Sequence, residues 1–206
     1  MAPGTSSPFR RNREFRFDSD GVLRPLCQAL TSMGVHPNMV TLAGVLLTLM
    51  VPVEIVHEKW PQAGLWFLGA GFFDLLDGAL AREGGFQSRF GAFWDSTLDR
   101  VSEAFVFGGL LLYYVQHQQP GAFLLAYCVC VLSFLVPYAR ARAEGLGIAS
   151  KKGLLQRPGR VILLALGFLI SRPIWALVIV GVLSLVTLCQ RCLIVREKGG
   201  KKNNFK

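Results

Sequence analysis

Apolar positions along the chain fall into long runs, separated by short polar breaks. Over residues 19–33 they are Val22, Leu23, Leu26, Cys27 and Leu30, a spacing that keeps them on one face of a helix. Ser19 and Asp20 stand where an N-cap belongs. The pattern predicts an amphipathic helix on the inner membrane surface, although the same face could instead pack on protein. After Gly34-Val35-His36-Pro37 come six predicted spanning helices, over 38–56, 63–82, 92–115, 122–141, 158–170 and 174–195. A membrane helix needs about 20 apolar residues to cross about 30 Å of hydrocarbon. The fifth run is shorter, so its first turn is expected below the membrane surface, inside protein.

The expected fold class is an all-α integral membrane protein, six transmembrane helices preceded by a juxtamembrane amphipathic helix. The expected organisation is a disordered basic cytosolic tail (1–18), the amphipathic helix (19–36), a six-helix membrane domain (37–196) and a second basic tail (197–206). Composition agrees. The chain is 206 residues long and 52% hydrophobic, with a mean hydropathy of +0.42, too apolar for an ordinary soluble domain. In a soluble protein a net charge of +9 would suggest nucleic acid. Here the basic residues gather at the ends of apolar runs, the pattern of a polytopic protein facing anionic lipid, so no nucleic-acid partner is expected. Only Lys59 and Arg172 fall in loops on the opposite side, which places both termini in the cytosol by the positive-inside rule. Residues 1–18 hold four Arg and no apolar core, unlike a cleaved signal peptide. Cys189 and Cys192 form a lone CxxC without a second metal-ligand pair, and with Cys27, Cys128 and Cys130 they read as small apolar residues in helices. His36, His57 and His117 lie at predicted helix ends and read as interfacial residues.

The chemistry is concentrated in Asp74-Leu-Leu-Asp77-Gly78-Ala-Leu-Ala81-Arg82 and, eight residues later, Gly91-Ala-Phe-Trp-Asp95-Ser-Thr-Leu-Asp99. Four carboxylates thus fall within 26 residues, in or beside apolar helices. A central carboxylate costs at least ~2.5 kcal/mol to insert, so four persist only if paired, metal-bound or facing water. Asp74, Asp77, Gly78, Ala81 and Arg82 share one helical face, as do Gly91, Asp95 and Asp99. Counting inward from the loop, Asp74 and Asp77 lie about 7 to 12 Å deep at 1.5 Å per residue, and Asp95 and Asp99 return to similar depth. Two antiparallel helices thereby aim four carboxylates at one point, and Gly78, Ala81 and Gly91 leave room for a ligand. Such a cluster suits a hard divalent cation. Mg²⁺ beside a pyrophosphate, with a spare carboxylate to take a hydroxyl proton, describes a phosphoryl-type transfer. Ion pairs with Arg82, Arg89 and Arg100 would neutralise part of this charge without explaining the gapped pattern.

The run D-x2-D-G-x2-A-R-x8-G-x3-D-x3-D resembles the signature of the CDP-alcohol phosphotransferases at every defined position. The likeness extends to the six helices, the amphipathic helix and the Pro37-Asn38-x-x-Thr41 opening of the first span. It implies that Asp74, Asp77 and Asp95 hold one or two Mg²⁺ ions, with Mn²⁺ as a substitute and Asp99 helping. It makes Asp99 the general base and places Asn38, Thr41, Asp77, Gly78, Ala81, Arg82 and Gly91 around the CDP moiety. The acceptor hydroxyl then attacks the β-phosphate and CMP leaves. The implied donor is CDP-diacylglycerol, and the implied assembly is a homodimer in a prokaryotic cell membrane with its active site towards the cytoplasm.

The acceptor is read from arginines. Arg140 and Arg142 end the fourth span, and Lys151, Lys152, Arg157 and Arg160 follow. Arg140 and Arg142 diverge by about 160° around a helix, so both reach one pocket only if the helix frays. An arginine cluster suits a phosphate-bearing acceptor; positive-inside bias accounts for the lysines. The Tyr138-x-Arg-x-Arg-Ala-Glu144 run, Arg157-Pro-x-Arg160 and Asp95-Ser-Thr-Leu-Asp99-Arg100 resemble the prokaryotic phosphatidylinositol-phosphate synthases. By that resemblance Arg140, Arg142, Arg157, Arg160 and either Arg191 or Arg196 bind the phosphate of inositol phosphate. Pro137 and Gly159 depart from the pattern, which keeps glycerol 3-phosphate (phosphatidylglycerophosphate synthase) and serine (phosphatidylserine synthase) as alternative acceptors. A cation transporter would spread its carboxylates along the membrane normal on several helices, and a dead lipid-binding scaffold would lack a signature Asp; the sequence does neither.

Overall fold

The structure, a computed structural model, describes residues 19–149 and 153–199. The predicted tail over 1–18, all of the predicted tail over 197–206 beyond Gly199, Lys151 and Lys152, and the capping side chains of Ser19 and Asp20 lie outside the described residues; 197–199 belong to the last helix. Helices α1 (Ser19–Ser32), α2 (Pro37–Thr48), α3 (Met50–Val56), α4 (Trp60–Glu83), α5 (Arg89–Gln116), α6 (Pro120–Gly145), α7 (Arg157–Leu169) and α8 (Pro173–Gly199) follow in order, with no strand among the described residues.

The helix starts follow from local chemistry. His36 caps α2, its Nδ1 accepting from the Asn38 amide at 3.3 Å, with Pro37 in the first turn where a missing N–H costs nothing. Prolines also open α4, α6 and α7. The first predicted span is divided at Leu49. Pro52 explains this: it has no N–H to offer the Thr48 carbonyl, and its ring crowds that oxygen. The last span runs four residues past the predicted Val195, to Gly199.

The α2–α3 stretch Pro37–Val56 and helices α4, α6 and α8 are each long and apolar enough to cross a membrane. Helix α5 is long enough, but the stretch from Arg89 to Glu103 carries Arg89, Asp95, Asp99, Arg100 and Glu103. Helix α7 has 13 residues, about 20 Å at 1.5 Å each, too short for about 30 Å of hydrocarbon. Large apolar side chains line the outside: Leu65 is 62% exposed, Leu124 60%, Trp175 66% and Val182 56%. That surface suits lipid, not water.

Inside, Ile55, Phe107, Leu110, Tyr114, Phe168 and Leu177 form the core, with Trp60 edge-on to Tyr113 at 4.8 Å. Lipid gives helices no hydrophobic reason to associate, so close backbone approach matters. At Gly109 an added Cβ would stand 2.6 Å from Pro52, which brings α5 against α3; at Gly64 it would stand 2.9 Å from the Ala165 carbonyl, which brings α4 against α7. Helix α4 packs on α1, α2, α3 and α7, while α5 and α7 share no close backbone approach. Helix α1 packs on protein: Cys27 is fully buried with Val40, Leu76, Ala79 and Leu80, and Arg24 faces Glu83 at 3.9 Å. Leu26 and Met33 remain exposed.

Candidate active site

The C-terminal half of α4 and the N-terminal half of α5 run antiparallel on either side of a five-residue connection, 84–88. Ser88 fixes the start of α5 by accepting the Gly91 amide at 2.9 Å. This arrangement brings carboxylate oxygens of Asp74, Asp95 and Asp99 within 4.8 Å of one another. Asp77 stands outside that trio. It lies three residues further along α4, a rotation of about −60° and a rise of about 4.5 Å, and it is 5% exposed. The predicted convergence of four carboxylates is thus a convergence of three, with the fourth forming the wall beside them.

Two cavities meet at Asp77. The larger, about 590 Å³, is lined by Asn38, Thr41, Asp77, Gly78, Ala81, Arg82 and Gly91, all seven residues expected near CDP. Asp95 lies at its inner end, and Pro37, Phe86, Gln87, Ser88, Arg89 and Ala92 complete it. The glycines keep it open: a Cβ on Gly78 would come 3.3 Å from Arg82 Nη1, and one on Gly91 3.0 Å from Ser88 Oγ. The smaller, about 30 Å³, has room for water behind Asp74, Asp77 and Asp99, against Ser102, Glu103 and Arg157.

The residues fit a divalent cation. Oxygen donors converge, and Asp77 Oδ2 and Asp95 Oδ1 are buried without a hydrogen-bond partner, an arrangement costly unless a cation or polar ligand meets them. Asp74, Asp95 and Asp99 could hold it, with Asp77 adjacent.

The arginines depart from expectation. Arg100 faces Glu103 at 3.6 Å, and Arg157 reaches Asp74 and Asp99 from α7. Its Nη1 donates to Asp74 and its Nη2 lies 2.6 Å from Asp99 Oδ1. Arg160, 3% exposed, donates through Nη2 to Glu103 Oε1 at 2.6 Å. These two guanidinium groups therefore face acids, not an open pocket: α7 sits across a gap from α5, and long side chains bridge it. Helix α6 continues unfrayed to Gly145, so Arg140 and Arg142 do not share a face; Arg140 pairs with Glu144 at 2.9 Å, and Arg142 is exposed. Of the two candidates on α8, Arg191 is buried and donates to the Val136 carbonyl, whereas Arg196 is exposed. Arg140 and Arg160 are the like charges that bear on Arg191. The segment before α7 is held on α8 by Leu155 N donating to Thr187 Oγ1 at 3.0 Å and Leu154 N donating to Gln190 Oε1 at 3.2 Å.

Glu103 is a site residue that the sequence reading missed. It extends the stripe Gly91, Asp95, Asp99 by one more turn, so its signal was present.

The family model for CDP-alcohol phosphatidyltransferase matches residues 34–190, which include both carboxylate helices and the arginine segment. The chain belongs to the CDP-alcohol phosphatidyltransferase family. As a CDP-alcohol phosphatidyltransferase it is a transferase of phospholipid synthesis. It is 33% identical over 190 residues to the phosphatidylinositol phosphate synthase of Mycobacteroides abscessus, covering 87% of this chain and 86% of that one. It is 33% identical over 177 residues to the archaetidylinositol phosphate synthase of Pyrococcus horikoshii, covering 85% and 92%. Its fold matches the crystal structure of Mycobacterium tuberculosis phosphatidylinositol phosphate synthase with CDP-DAG bound, at a TM-score of 0.80 and 28% identity, over 89% of this chain and 98% of that one. The same enzyme in complex with manganese and citrate matches at 0.78 and 28%, over 87% and 91%. The CDP-alcohol phosphatidyltransferases it resembles here are prokaryotic.

Proposed function

We propose that this enzyme transfers the phosphatidyl group of CDP-diacylglycerol to a hydroxyl of inositol phosphate, releasing CMP. The observation that carries the reading is the Asp74–Asp95–Asp99 trio, whose Asp95 lines a cavity that also holds all seven expected CDP contacts. Asp74, Asp77, Asp95 and Asp99 hold Mg²⁺, or Mn²⁺ in its place. When bound, the cation supplies charge neutralisation for the diphosphate. Asn38, Thr41, Gly78, Ala81, Arg82 and Gly91 orient the nucleotide. Asp99 takes the proton of the attacking hydroxyl; the acceptor oxygen bonds to the β-phosphorus, and the bond from that phosphorus to CMP breaks.

The inositol phosphate assignment is supported by relatives named as phosphatidylinositol phosphate synthases and by Arg140 and Arg160, whose charges bear on Arg191. Arg157 lies against Asp74 and Asp99. Arg142 and Arg196 are both exposed. The chain crosses the membrane six times, with α5 and α7 joining the four more apolar spans. Both termini and the active site face the cytoplasm, and the enzyme works as a homodimer.

The test is CMP release from CDP-diacylglycerol by purified protein with Mg²⁺, with inositol phosphate, glycerol 3-phosphate, inositol and serine supplied singly. Inositol phosphate alone is expected to drive release, and Asp99→Asn to abolish it. Release driven by glycerol 3-phosphate or serine instead would replace the acceptor assignment. Full activity in the Asp99→Asn enzyme would remove Asp99 as the base.

A further inference from the structure

Phe86 sits in the α4–α5 connection, 39% exposed, on the wall of the nucleotide-sized cavity. The backbone is built around its ring. Gly84 ends α4 in an ordinary helical conformation, yet a Cβ there would fall 2.4 and 2.5 Å from two Phe86 ring carbons. Gly85 follows at φ +68, a turn that L side chains resist. The ring is backed by His36, with centroids 5.2 Å apart and planes inclined at 50°, and His36 is itself pinned by its bond from the Asn38 amide.

Position supplies the ligand chemistry. The donor has three parts. Its diphosphate belongs at the Asp77–Asp95 end of the cavity, beside the carboxylate trio. Its acyl chains belong in lipid. The nucleoside is left for the loop end, where Pro37, Phe86, Gln87 and Ser88 stand. A base binds an aromatic face readily because every base has a π-face.

We propose that Phe86 is the stacking platform for the donor's pyrimidine, held by His36 and given its place by the side-chain-free Gly84. This rests on the reading of the larger cavity as the CDP site. Titration calorimetry of full-length protein in detergent with Mn²⁺ tests it, using CDP and ribose 5-diphosphate, which lacks the base. Phe86→Ala should raise the dissociation constant for CDP about five- to hundredfold, the range expected for loss of one base–aromatic stack. Affinity for ribose 5-diphosphate should stay as in the wild type, and Phe86→Trp should bind CDP normally. Gly84→Ala, which displaces the ring without removing it, should weaken CDP in the same direction. If Phe86→Ala binds CDP as well as the wild type, the platform is disproved while the cavity assignment stands. If it loses both ligands equally, the residue shapes the loop and the proposal fails. If the wild type binds no CDP, the cavity assignment falls and the proposal with it.

Discussion

Replacing Glu103 with leucine isolates one buried charge. Its partner Arg160 has a side chain only 4% exposed, Glu103 itself is 7% exposed, and the two meet at 2.6 Å. Arg100, the other cation near Glu103 at 3.6 Å, is 27% exposed. Arg160 is far more enclosed, at 3% for the whole residue. Removing one member of a buried pair costs ~3–5 kcal/mol, since the other is left charged in a poor solvent. For a chain of this size each kcal/mol moves the melting temperature by about 2–4 °C, so Glu103→Leu should melt about 6–20 °C below the wild type. Thermal unfolding in detergent, followed by intrinsic fluorescence, reads this directly. The double variant Glu103→Leu/Arg160→Met removes both charges and should recover to within ~1 kcal/mol of the wild type, because a buried pair exchanged for apolar side chains is often neutral. A double variant as unstable as the single one, or a single variant with no loss, would refute the argument that charge burial sets the cost.

Arg157→Gln removes the guanidinium that lies against Asp74 and Asp99; Mn²⁺ affinity, read by electron paramagnetic resonance, should rise by up to about a thousandfold, since a like charge about 4 Å away costs ~4 kcal/mol at an effective dielectric of 20 and each 1.4 kcal/mol is tenfold. Unchanged affinity would show that the guanidinium and the cation do not compete. Gly109→Val drives side-chain atoms into Pro52, where even a Cβ stands at 2.6 Å, and should cost ~1–3 kcal/mol of stability in a melting experiment. At the far end of α5, His117 faces the Tyr113 carbonyl through Nδ1 and Glu58 Oε1 through Nε2, both at 2.8 Å. Those two acceptors raise its pKa, so the link to Glu58 should be complete below the ordinary histidine range and be lost as pH rises through the raised value. The melting-temperature difference between the wild type and Glu58→Gln should shrink accordingly with rising pH, and a constant difference would refute the link.

The carboxylate motif was legible because its spacing is helical and its two halves share a short loop; α4 and α5 place those residues almost as counted. Asp77 was read into the same point as its neighbours because an i, i+3 pair shares a face, yet a 60° offset is enough to set it in the wall between the two cavities. The break at Leu49 was hidden by an unbroken apolar run, although Pro52 announced it. Glu103 continued a visible stripe and was passed over because it lies beyond the last aspartate of the motif. The roles of Arg157 and Arg160 were not legible. Their partners lie 83 and 57 residues away, and no local pattern says which acid a long side chain will reach.

Helix α7 covers only about two thirds of a hydrocarbon core. In a bilayer the remaining third, about 10 Å, falls to the segment 153–156 and the arginine heads at its start. The lipid boundary is therefore notched on that side. On the proposed function, a membrane-borne donor presents its diphosphate at the depth where it already rests, without being lifted out of its leaflet. The soluble acceptor makes the journey instead, entering at the notch. The short helix would thus let two substrates that never share a phase meet at the border between them.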